Sequence, residues 1–379
     1  MGQPLYFGIG CYHFGIRENP PSKLTGEDYV KELNRTLQSL SNINNVEIEC
    51  DEEFKSSLID TSMGLPNIES GEGFCPSPTY CYIAYEVFIP QRIQVELRSP
   101  SFFKLETFTE YFRVSMHYPY HLPVAFIEPV NPTEKCSPSD AVQIVRKFLE
   151  QEFNNNNASS LLRFVSLGPS PFHADCCIQC GEEKHPETKW RYKAIRHQKL
   201  AYDEVVFLYN PHVYRDVEEA KEEIFEDIAR ELGLFYELVQ QEAGIMHTWD
   251  EIEEMVNNLV LIQRERGVKG IAKRFLKRSQ ILNELVTSLV QFGSNQHFLN
   301  AMAQRDYKNI YSTGEDSPFK PFLDKELRET YFYPIEEISK LITFVESRRA
   351  KGVEYLILLT STILGGAIGA LLTIAFSQK

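Results

Sequence analysis

Positive charge is scarce in this sequence. Its 379 residues include 39 lysines and arginines against 53 aspartates and glutamates, giving a formal net charge of −14. Such a chain is neither a general nucleic-acid coat nor a protein whose whole surface adheres to anionic lipid, so we expect no direct binding to DNA or RNA. Hydrophobic residues make up 43% of the chain, which is enough to build a core and excludes a disordered or collagen-like protein.

Familiar catalytic motifs are missing as well. The sequence contains no P-loop, no GxGxxG after a strand, no GxSxG and no HExxH. The segment from Gly168 to Asp175 brings a serine, a histidine and an aspartate together, but triad residues meet in space and rarely lie in one short loop. We therefore predict a turn there, name no catalytic residue, and prefer a non-enzymatic protein.

One long apolar run stands at the C-terminal end. The segment from Tyr355 to Phe376 contains no charged residue. At about 1.5 Å per residue it would form a helix of about 33 Å, long enough to cross a hydrocarbon core of about 30 Å. The alternative is a buried helix of a soluble core. We predict a single transmembrane helix over residues 353–376.

Flanking charges predict the orientation of this span. Arg348, Arg349 and Lys351 precede it, whereas only Lys379 follows it, so the positive-inside rule keeps the N-terminal part in the cytoplasm. The segment Met1–Ile16 has neither a basic start nor a small-residue cleavage site, and we predict no signal peptide. The expected protein is a cytosolic body on a C-terminal membrane anchor.

Small residues in the predicted span favour association between helices. Gly365 and Gly369 form a GxxxG pair, which lets two backbones approach closely in lipid. The alternative is an inert anchor, because glycine is common in membrane helices. The predicted packing residues are Thr362, Gly365, Gly366, Gly369 and Thr373.

A short heptad seam precedes the span. Its residues are Ile335, Ile338, Ile342 and Val345, spaced by three, four and three positions. This spacing predicts a stalk helix over residues 334–352 through which copies of the chain associate. Packing of the same side chains against the protein's own body is an equal alternative.

The rest of the chain predicts an α+β fold, in which a mixed antiparallel sheet carries helices on one face and a helical lobe follows. Thr25–Asp28 is a capping box that starts a helix, and Tyr80–Leu97 has the pattern of a long strand. Residues 161–179 and 190–209 are expected to pair as antiparallel strands. The predicted parts are an α+β domain (1–212), a helical lobe (213–311) and a linker (312–333).

Charge is segregated within the predicted lobe. Residues 216–231 carry eight acids and two bases, whereas residues 264–278 carry seven bases and one acid. The two stretches either neutralise each other on neighbouring helices, or the basic one meets lipid headgroups or a nucleotide-type ligand. The basic residues are Arg264, Arg266, Lys269, Lys273, Arg274, Lys277 and Arg278. A second capping box at Thr248–Glu251 predicts the start of a new helix.

The eight cysteines of a cytosolic body are expected to be thiols or metal ligands before disulfides. Cys177 and Cys180 form a CxxC, with His173 and His185 nearby. A zinc site normally shows two such pairs, and the second is missing. Zinc is therefore the only cofactor that the sequence suggests, and we expect a protein without a cofactor.

Together these features predict a tail-anchored protein whose cytosolic body senses a ligand or protein partner and oligomerises, while its C-terminal helices cluster in the bilayer to form a pore or disrupt the membrane. This plan resembles that of membrane-acting effectors of microbial antiviral defence. One alternative is a membrane-tethered hydrolase or nuclease that uses the region of His173, Asp175 and Cys177. Another is a binding module that recruits a soluble partner to the membrane.

Overall fold

The chain folds into a mixed α+β structure, which confirms the predicted class. The computed structural model describes residues 3–17, 23–59, 80–97, 109–119, 122–133, 137–155, 161–166, 174–181, 188–197, 202–264, 277–312, 317–328 and 333–347. The strands are β1 (Leu5–Gly10), β2 (Tyr12–Ile16), β3 (Ile43–Cys50), β4 (Cys81–Phe88), β5 (Tyr111–His117), β6 (Val124–Pro129), β7 (Leu162–Ser166), β8 (Ala174–Cys180), β9 (Trp190–His197) and β10 (Tyr202–Tyr209). The helices are α1 (Gly26–Ser39), α2 (Glu52–Ser56), α3 (Gln91–Leu97), α4 (Pro138–Asn155), α5 (Val217–Arg264), α6 (Arg278–Ile310), α7 (Lys320–Arg328) and α8 (335–347).

Eight strands form one sheet in the order β3-β4-β5-β6-β1-β8-β10-β9, and β2 pairs with β7 in a small second sheet. Neighbours in the large sheet are antiparallel except β8 and β10, which are parallel. The predicted antiparallel pairing of residues 161–179 with 190–209 is therefore wrong. The other neighbour of β8 is β1, with Leu5 opposite Ile178. Residue alternation identifies a strand, but it does not identify its partner.

Helices cover both faces of the large sheet, which corrects the expectation of helices on one face. On β6, Ala125 and Ile127 belong to the apolar core that includes α1 and α4 residues, whereas Val124 and Phe126 belong to the core that includes α5 residues. Phe225 of α5 stacks on Phe126 with ring centroids 4.0 Å apart. The first part of α5 thus packs on the sheet instead of belonging to a separate lobe.

Two glycines in the central strand allow α4 to approach the sheet. A Cβ atom at Gly8 would lie 2.5 Å from the carbonyl oxygen of Pro138 and 2.5 Å from Cγ2 of Val142. A Cβ atom at Gly10 would lie 2.9 Å from Cγ1 of Val142. Because Gly8 faces backbone as well as a side chain, any larger residue there would push the helix away.

Of two local sequence signals, one predicts the structure correctly and the other does not. The capping box of α1 is confirmed, since the Asp28 amide donates to Thr25 Oγ1 at 3.2 Å and the Thr25 amide donates to Asp28 Oδ2 at 3.1 Å. The long strand predicted over Tyr80–Leu97 is instead β4 followed by α3. Pro90 explains the change, because proline is tolerated in the first turn of a helix and interrupts a sheet ladder.

The chain divides into two compact units, Met1–Gly244 with Phe298–Glu329, and Ile245–His297 with Thr330–Lys379. The division does not follow the predicted boundary between residues 212 and 213, because α5 is one continuous helix that contributes to both units. The capping box expected at Thr248 lies inside this helix. Trp249 and Ile252 are buried in the second unit, so packing sustains the helix through a sequence that could have started a new one.

The second unit has its own apolar core. Three aromatic rings meet there, with centroid distances of 5.3 Å between Trp249 and Phe292, 4.8 Å between Trp249 and Tyr333, and 4.9 Å between Phe292 and Tyr333. Leucines of α6 and isoleucines of α8 complete the cluster. Residues 320–328, which fall in the predicted linker, form α7 in the first unit.

Candidate ligand cleft

The candidate site is built on β5, whose side chains alternate sharply in character. Its apolar residues face the core shared with α1 and α4; they are Phe112, Val114 and Met116. Its polar residues project from the opposite face because successive side chains of a strand alternate in direction; they are Arg113, Ser115 and His117. One strand therefore separates a dry core from a polar surface beneath the first turns of α5.

A network of ion pairs occupies this polar surface. Arg113 lies opposite Glu128 of β6, and its Nη1 atom is 3.3 Å from Glu128 Oε2 and 3.4 Å from Glu218 Oε2 on α5. Lys221 Nζ lies 3.2 Å from Glu128 Oε1. The side chain of Glu128 is only 5% exposed and that of Lys221 is 12% exposed. A buried carboxylate is thus neutralised by two cations, as burial of a charge requires.

The pKa values of the two glutamates of the network are shifted in opposite directions. Burial raises the pKa of Glu128, although the charges of Lys221 and Arg113 act against it. Burial also acts to raise the pKa of Glu218, but hydrogen bonds and charges from Lys221 and Arg113 lower it overall. Glu218 is accordingly the more firmly ionised group, and it is also the more exposed one.

The histidine of β5 sits in an aromatic box. Burial lowers the pKa of His117 to about 4, so its imidazole is neutral at pH 7. Its ring lies 5.0 Å from Tyr82, 5.5 Å from Phe126 and 6.4 Å from Phe225. The buried Ser115 hydroxyl has no hydrogen-bond partner among the described residues. A nucleophilic serine needs a hydrogen bond to its base, and the Ser115 hydroxyl makes none to His117.

A cleft of about 920 Å³ opens beside the ion-pair network. Its walls are Gln3–Tyr6, Pro129–Thr133 and the start of α5, and Arg113, Glu128 and Glu218 line it. This volume is within the range of small-molecule sites. The cleft therefore offers a guanidinium donor and two carboxylate acceptors to a polar ligand.

Sequence reasoning missed every charged residue of this site. A signal was nevertheless available, since Arg113 stands in a strand that is otherwise short of charge, and Glu128 ends the apolar run VAFI. Charged residues in buried strands are rarely tolerated unless they are paired. Two of them in consecutive strands would have predicted a pair on one face of the sheet.

The predicted zinc ligands are only partly within the described residues. Cys177 and Cys180 lie three positions apart on β8, and residues with that spacing project from opposite faces of a strand. One ion could not take both thiols while this strand persists. Among the described residues no group of three or more histidines, cysteines or acids could hold a metal ion, and His173 and His185 lie outside that set.

Asp175, considered above for a catalytic role, binds the start of α4. Its Oδ1 atom accepts hydrogen bonds from Ser137 Oγ at 3.0 Å, Ser139 Oγ at 2.9 Å and the Ser139 amide at 3.1 Å. Burial raises the pKa of this carboxyl, while the serine hydrogen bonds act against that rise. A carboxylate at a helix N-terminus is a stabilising arrangement. Asp175 itself belongs to β8 and not to a turn.

The expectation of thiols is wrong for one pair of cysteines. Cys50 and Cys81 form a disulfide. They lie directly opposite each other where β3 ends and β4 begins. The prediction for all eight cysteines rested on the expected cellular compartment alone. The register of β3 and β4, which places Cys50 opposite Cys81, could not be predicted from the sequence.

Acids at the start of α5 have described ion-pair partners on β5, within their own helix, and in the residues just before β9 and α5. Lys189 pairs with Glu223, and Arg113 pairs with Glu218. The Trp190 indole donates to Asp227 at 3.0 Å. Neutralisation of the acidic stretch by the basic one stays a prediction.

Three residues of the basic stretch are described. Arg264 and Lys277 are exposed, and Arg278 donates to the carbonyl of Val345 in the second unit. The remaining four lie outside the described residues; they are Arg266, Lys269, Lys273 and Arg274. Binding of headgroups or of a nucleotide-type ligand by this stretch stays a prediction.

The predicted stalk residues lie in the core of the second unit. Ile338 is 8% exposed, Ile342 is 7% exposed and Val345 is 4% exposed, and all three pack with residues of α5 and α6. Ile335 packs against the same cluster. The alternative prediction was that these side chains pack against the protein's own body, and the intrachain contacts agree with it. Association of copies through this seam stays a prediction.

The predicted membrane segment lies outside the described residues. None of the helices that can be described is long and apolar enough to cross a bilayer. The predicted span at 353–376 falls outside them. Its packing residues do so as well, namely Thr362, Gly365, Gly366, Gly369 and Thr373.

Comparison of the chain with protein-family models, with curated proteins and with solved structures found no match. Its function must therefore be inferred from its own residues.

Proposed function

We propose that this chain is a tail-anchored membrane protein that binds a ligand in the cleft of its cytosolic body and acts on the bilayer through clustered C-terminal helices. Support for the anchor comes from the uncharged run Tyr355–Phe376 and from the basic residues that precede it. An effector of microbial antiviral defence would have this plan. The bilayer, further copies of the chain and a nucleotide-type ligand are its proposed partners.

The observation that carries the sensing role is the contact between Arg113 and Glu218 at the edge of the cleft. Arg113 holds the first turn of α5 through this pair. An anionic ligand that binds the guanidinium competes with Glu218 and weakens the hold of β5 on that turn, leaving the pair of Lys221 with Glu128 as its described ionic contact with the sheet. Because α5 continues from the sheet unit into the helical unit, a change at its first turn acts on an element common to both. Ligand binding is thereby coupled to the helices that precede the membrane run.

Liposome leakage tests the membrane role. Full-length protein reconstituted into vesicles loaded with a self-quenched dye should release the dye once a nucleotide that stabilises the chain is added, and a chain lacking residues 352–379 should not. A Gly365→Leu, Gly369→Leu chain keeps an apolar anchor but lacks the close-packing residues. It should therefore release no dye either. Vesicles that stay sealed with the full-length chain contradict the proposal. Hydrolytic activity that survives the truncation would favour the enzymatic alternative.

Thermal stabilisation by ligands tests the cleft. Nucleoside mono-, di- and triphosphates and cyclic nucleotides are the probes, because their phosphates match a guanidinium. A binder should raise the melting temperature of the full chain, and Arg113→Gln should weaken its affinity at least tenfold. Arg215→Gln is the control, since Arg215 is an exposed arginine that pairs with Glu219 and is not among the residues that line the cleft. Equal loss in both variants would indicate a general charge effect and no specific site.

A further inference from the structure

A disulfide joins the last residue of β3 to the first residue of β4, and its two cysteines, Cys50 and Cys81, lie directly opposite each other. The same strands already pair along a ladder that begins at Ile43, and the core around them includes residues of β2, β5, β6 and α4. Small secreted proteins depend on disulfides because their cores are small, whereas a core of this extent does not. The bond therefore adds a covalent link where strand pairing and packing already hold the fold together.

The expected compartment of the body gives this bond a meaning. The basic residues before the C-terminal apolar run predict a cytoplasmic body, and cytosolic thiols are kept reduced by thioredoxin and glutathione. Disulfides of cytosolic proteins are usually transient, and they serve catalysis or redox sensing. Cys50 is 8% exposed and Cys81 is 2% exposed, which is too little for a pair that must reach protein substrates. Of the two roles, redox sensing fits this pair.

A second link lies directly beside the disulfide. Asp51 Oδ2 accepts a hydrogen bond from the Tyr80 amide at 2.8 Å, and the Asp51 amide donates to the Tyr80 carbonyl at 3.2 Å. Asp51 Oδ1 accepts a further hydrogen bond from the Phe54 amide in the first turn of α2. The ends of the two strands are thus joined twice, once through sulfur and once through Asp51, and the second link also holds α2.

Helix α2 packs in turn on the start of α1. A Cβ atom at Gly26 would lie 2.0 Å from the carbonyl oxygen of Phe54, so the two backbones are in direct contact. The Ile59 amide, just after α2, donates to the Leu24 carbonyl at 2.9 Å. Phe54 is buried in the core that also contains Cys50. A change at the cysteine pair therefore acts on the element that covers the start of α1.

We propose that the Cys50–Cys81 disulfide is a reversible redox clamp, which fixes α2 on α1 when oxidised and loosens it when a thioredoxin-type dithiol reduces it. The attacking thiolate of the dithiol bonds to the sulfur of Cys50, the more exposed cysteine, and Cys81 leaves as a thiolate that takes up a proton. The second thiol of the reductant then attacks this mixed disulfide, and Cys50 leaves and takes up a proton. The dithiol becomes a disulfide, losing two electrons and two protons, and the cysteine pair gains them.

Reduction changes the packing in two ways. It removes one of the two adjacent links, so Asp51 alone joins the strand ends to α2. It also leaves two sulfur atoms that are no longer bonded and need more room, within the core that holds Phe54. The inference rests on the cytosolic body of the proposed function, because the bond would stay oxidised in a compartment without reduced thiols.

Hydrogen exchange of the full-length chain in detergent tests the clamp. The chain is left oxidised or treated with reduced thioredoxin, and differential alkylation followed by mass spectrometry reports the state of Cys50 and Cys81. Amides of residues 54–59 should exchange about tenfold faster in the reduced chain, whereas those of β5 and β6 should keep their rates. Reoxidation should restore the slow exchange.

Three variants sharpen the test. A Cys50→Ser, Cys81→Ser chain should show the fast exchange whether or not reductant is present. Cys180→Ser is the matched control, since Cys180 forms no disulfide, and it should keep the full redox response. Asp51→Ala removes the second link and should therefore speed exchange at residues 54–59 more in the reduced chain than in the oxidised one.

A disulfide that reduced thioredoxin fails to open in the folded chain overturns the clamp, and so does a reduced chain with unchanged exchange at residues 54–59. Either result, in a chain that releases dye from vesicles, leaves the membrane role intact. Reversible loosening in a chain that never releases dye supports the clamp and overturns the membrane role alone.

Discussion

The two sides of β5 differ sharply in polarity. Phe112, Val114 and Met116 are fully buried in an apolar core. Arg113, Ser115 and His117, one residue away in each case, lie beneath α5 among carboxylates and aromatic rings. The apolar side accounts for stability by burial alone, whereas the polar side requires compensating partners. The fold therefore accepts an energetic cost on the polar side, and Arg113 on this side lines the cleft.

The largest effect is expected on the apolar side. Phe112→Ala should lower the free energy of unfolding by about 3–5 kcal/mol, because it leaves a cavity in a core that cannot collapse around it. Urea unfolding of the detergent-solubilised chain measures this loss. A change below about 1 kcal/mol would mean that the two sides of β5 are not energetically distinct.

Breaking the ion-pair network should cost somewhat less. Lys221→Met keeps the aliphatic stem but removes one of the two cations that neutralise Glu128, and we expect a loss of about 2–3 kcal/mol at pH 7. The loss should shrink on acidification, since a protonated Glu128 needs no cation. Lys221→Arg is the control and should stay near wild type. A loss that is independent of pH would contradict the role assigned to the buried carboxylate.

The acid response of the fold should depend on His117. Its pKa in the folded chain is about 4, below the ordinary value of 6.5, so its contribution to stability is complete above pH 6.5 and is lost as the pH falls through 4. His117→Phe should remove about 2 kcal/mol of this acid-induced loss. Melting temperatures from pH 7 to pH 4 measure it. Buried His13, whose pKa is lowered to about 3, should leave part of the response in place.

The smallest effect is expected at Ser115. Ser115→Ala should change stability by no more than about 0.5 kcal/mol, because the hydroxyl has no hydrogen-bond partner among the described residues to lose. The same variant should keep full dye release in vesicles. A large loss of release with unchanged stability would instead give this serine a functional role.

The sequence predicts local structure here better than it predicts pairing. The capping box at Thr25 and the strand pattern of β5 could be read directly, because both depend on neighbouring residues. The parallel pairing of β8 with β10 and the disulfide of Cys50 depend on partners that are distant in sequence. The site was missed for the same reason: Glu128 and Lys221 are joined only when α5 lies across β6.

The position of β1 in the sheet bears on how the protein is made. It is the first strand of the chain, yet its neighbours are β6 and β8, and its Leu5 pairs with Ile178. During synthesis β1 must therefore stay unpaired until β6 has been made, and its second partner, β8, follows later. The last strand of the sheet ends at Tyr209, so the sheet can close while α5 and all later segments are still being translated. The apolar side chains of β1 must therefore be kept from other contacts until β6 has been made.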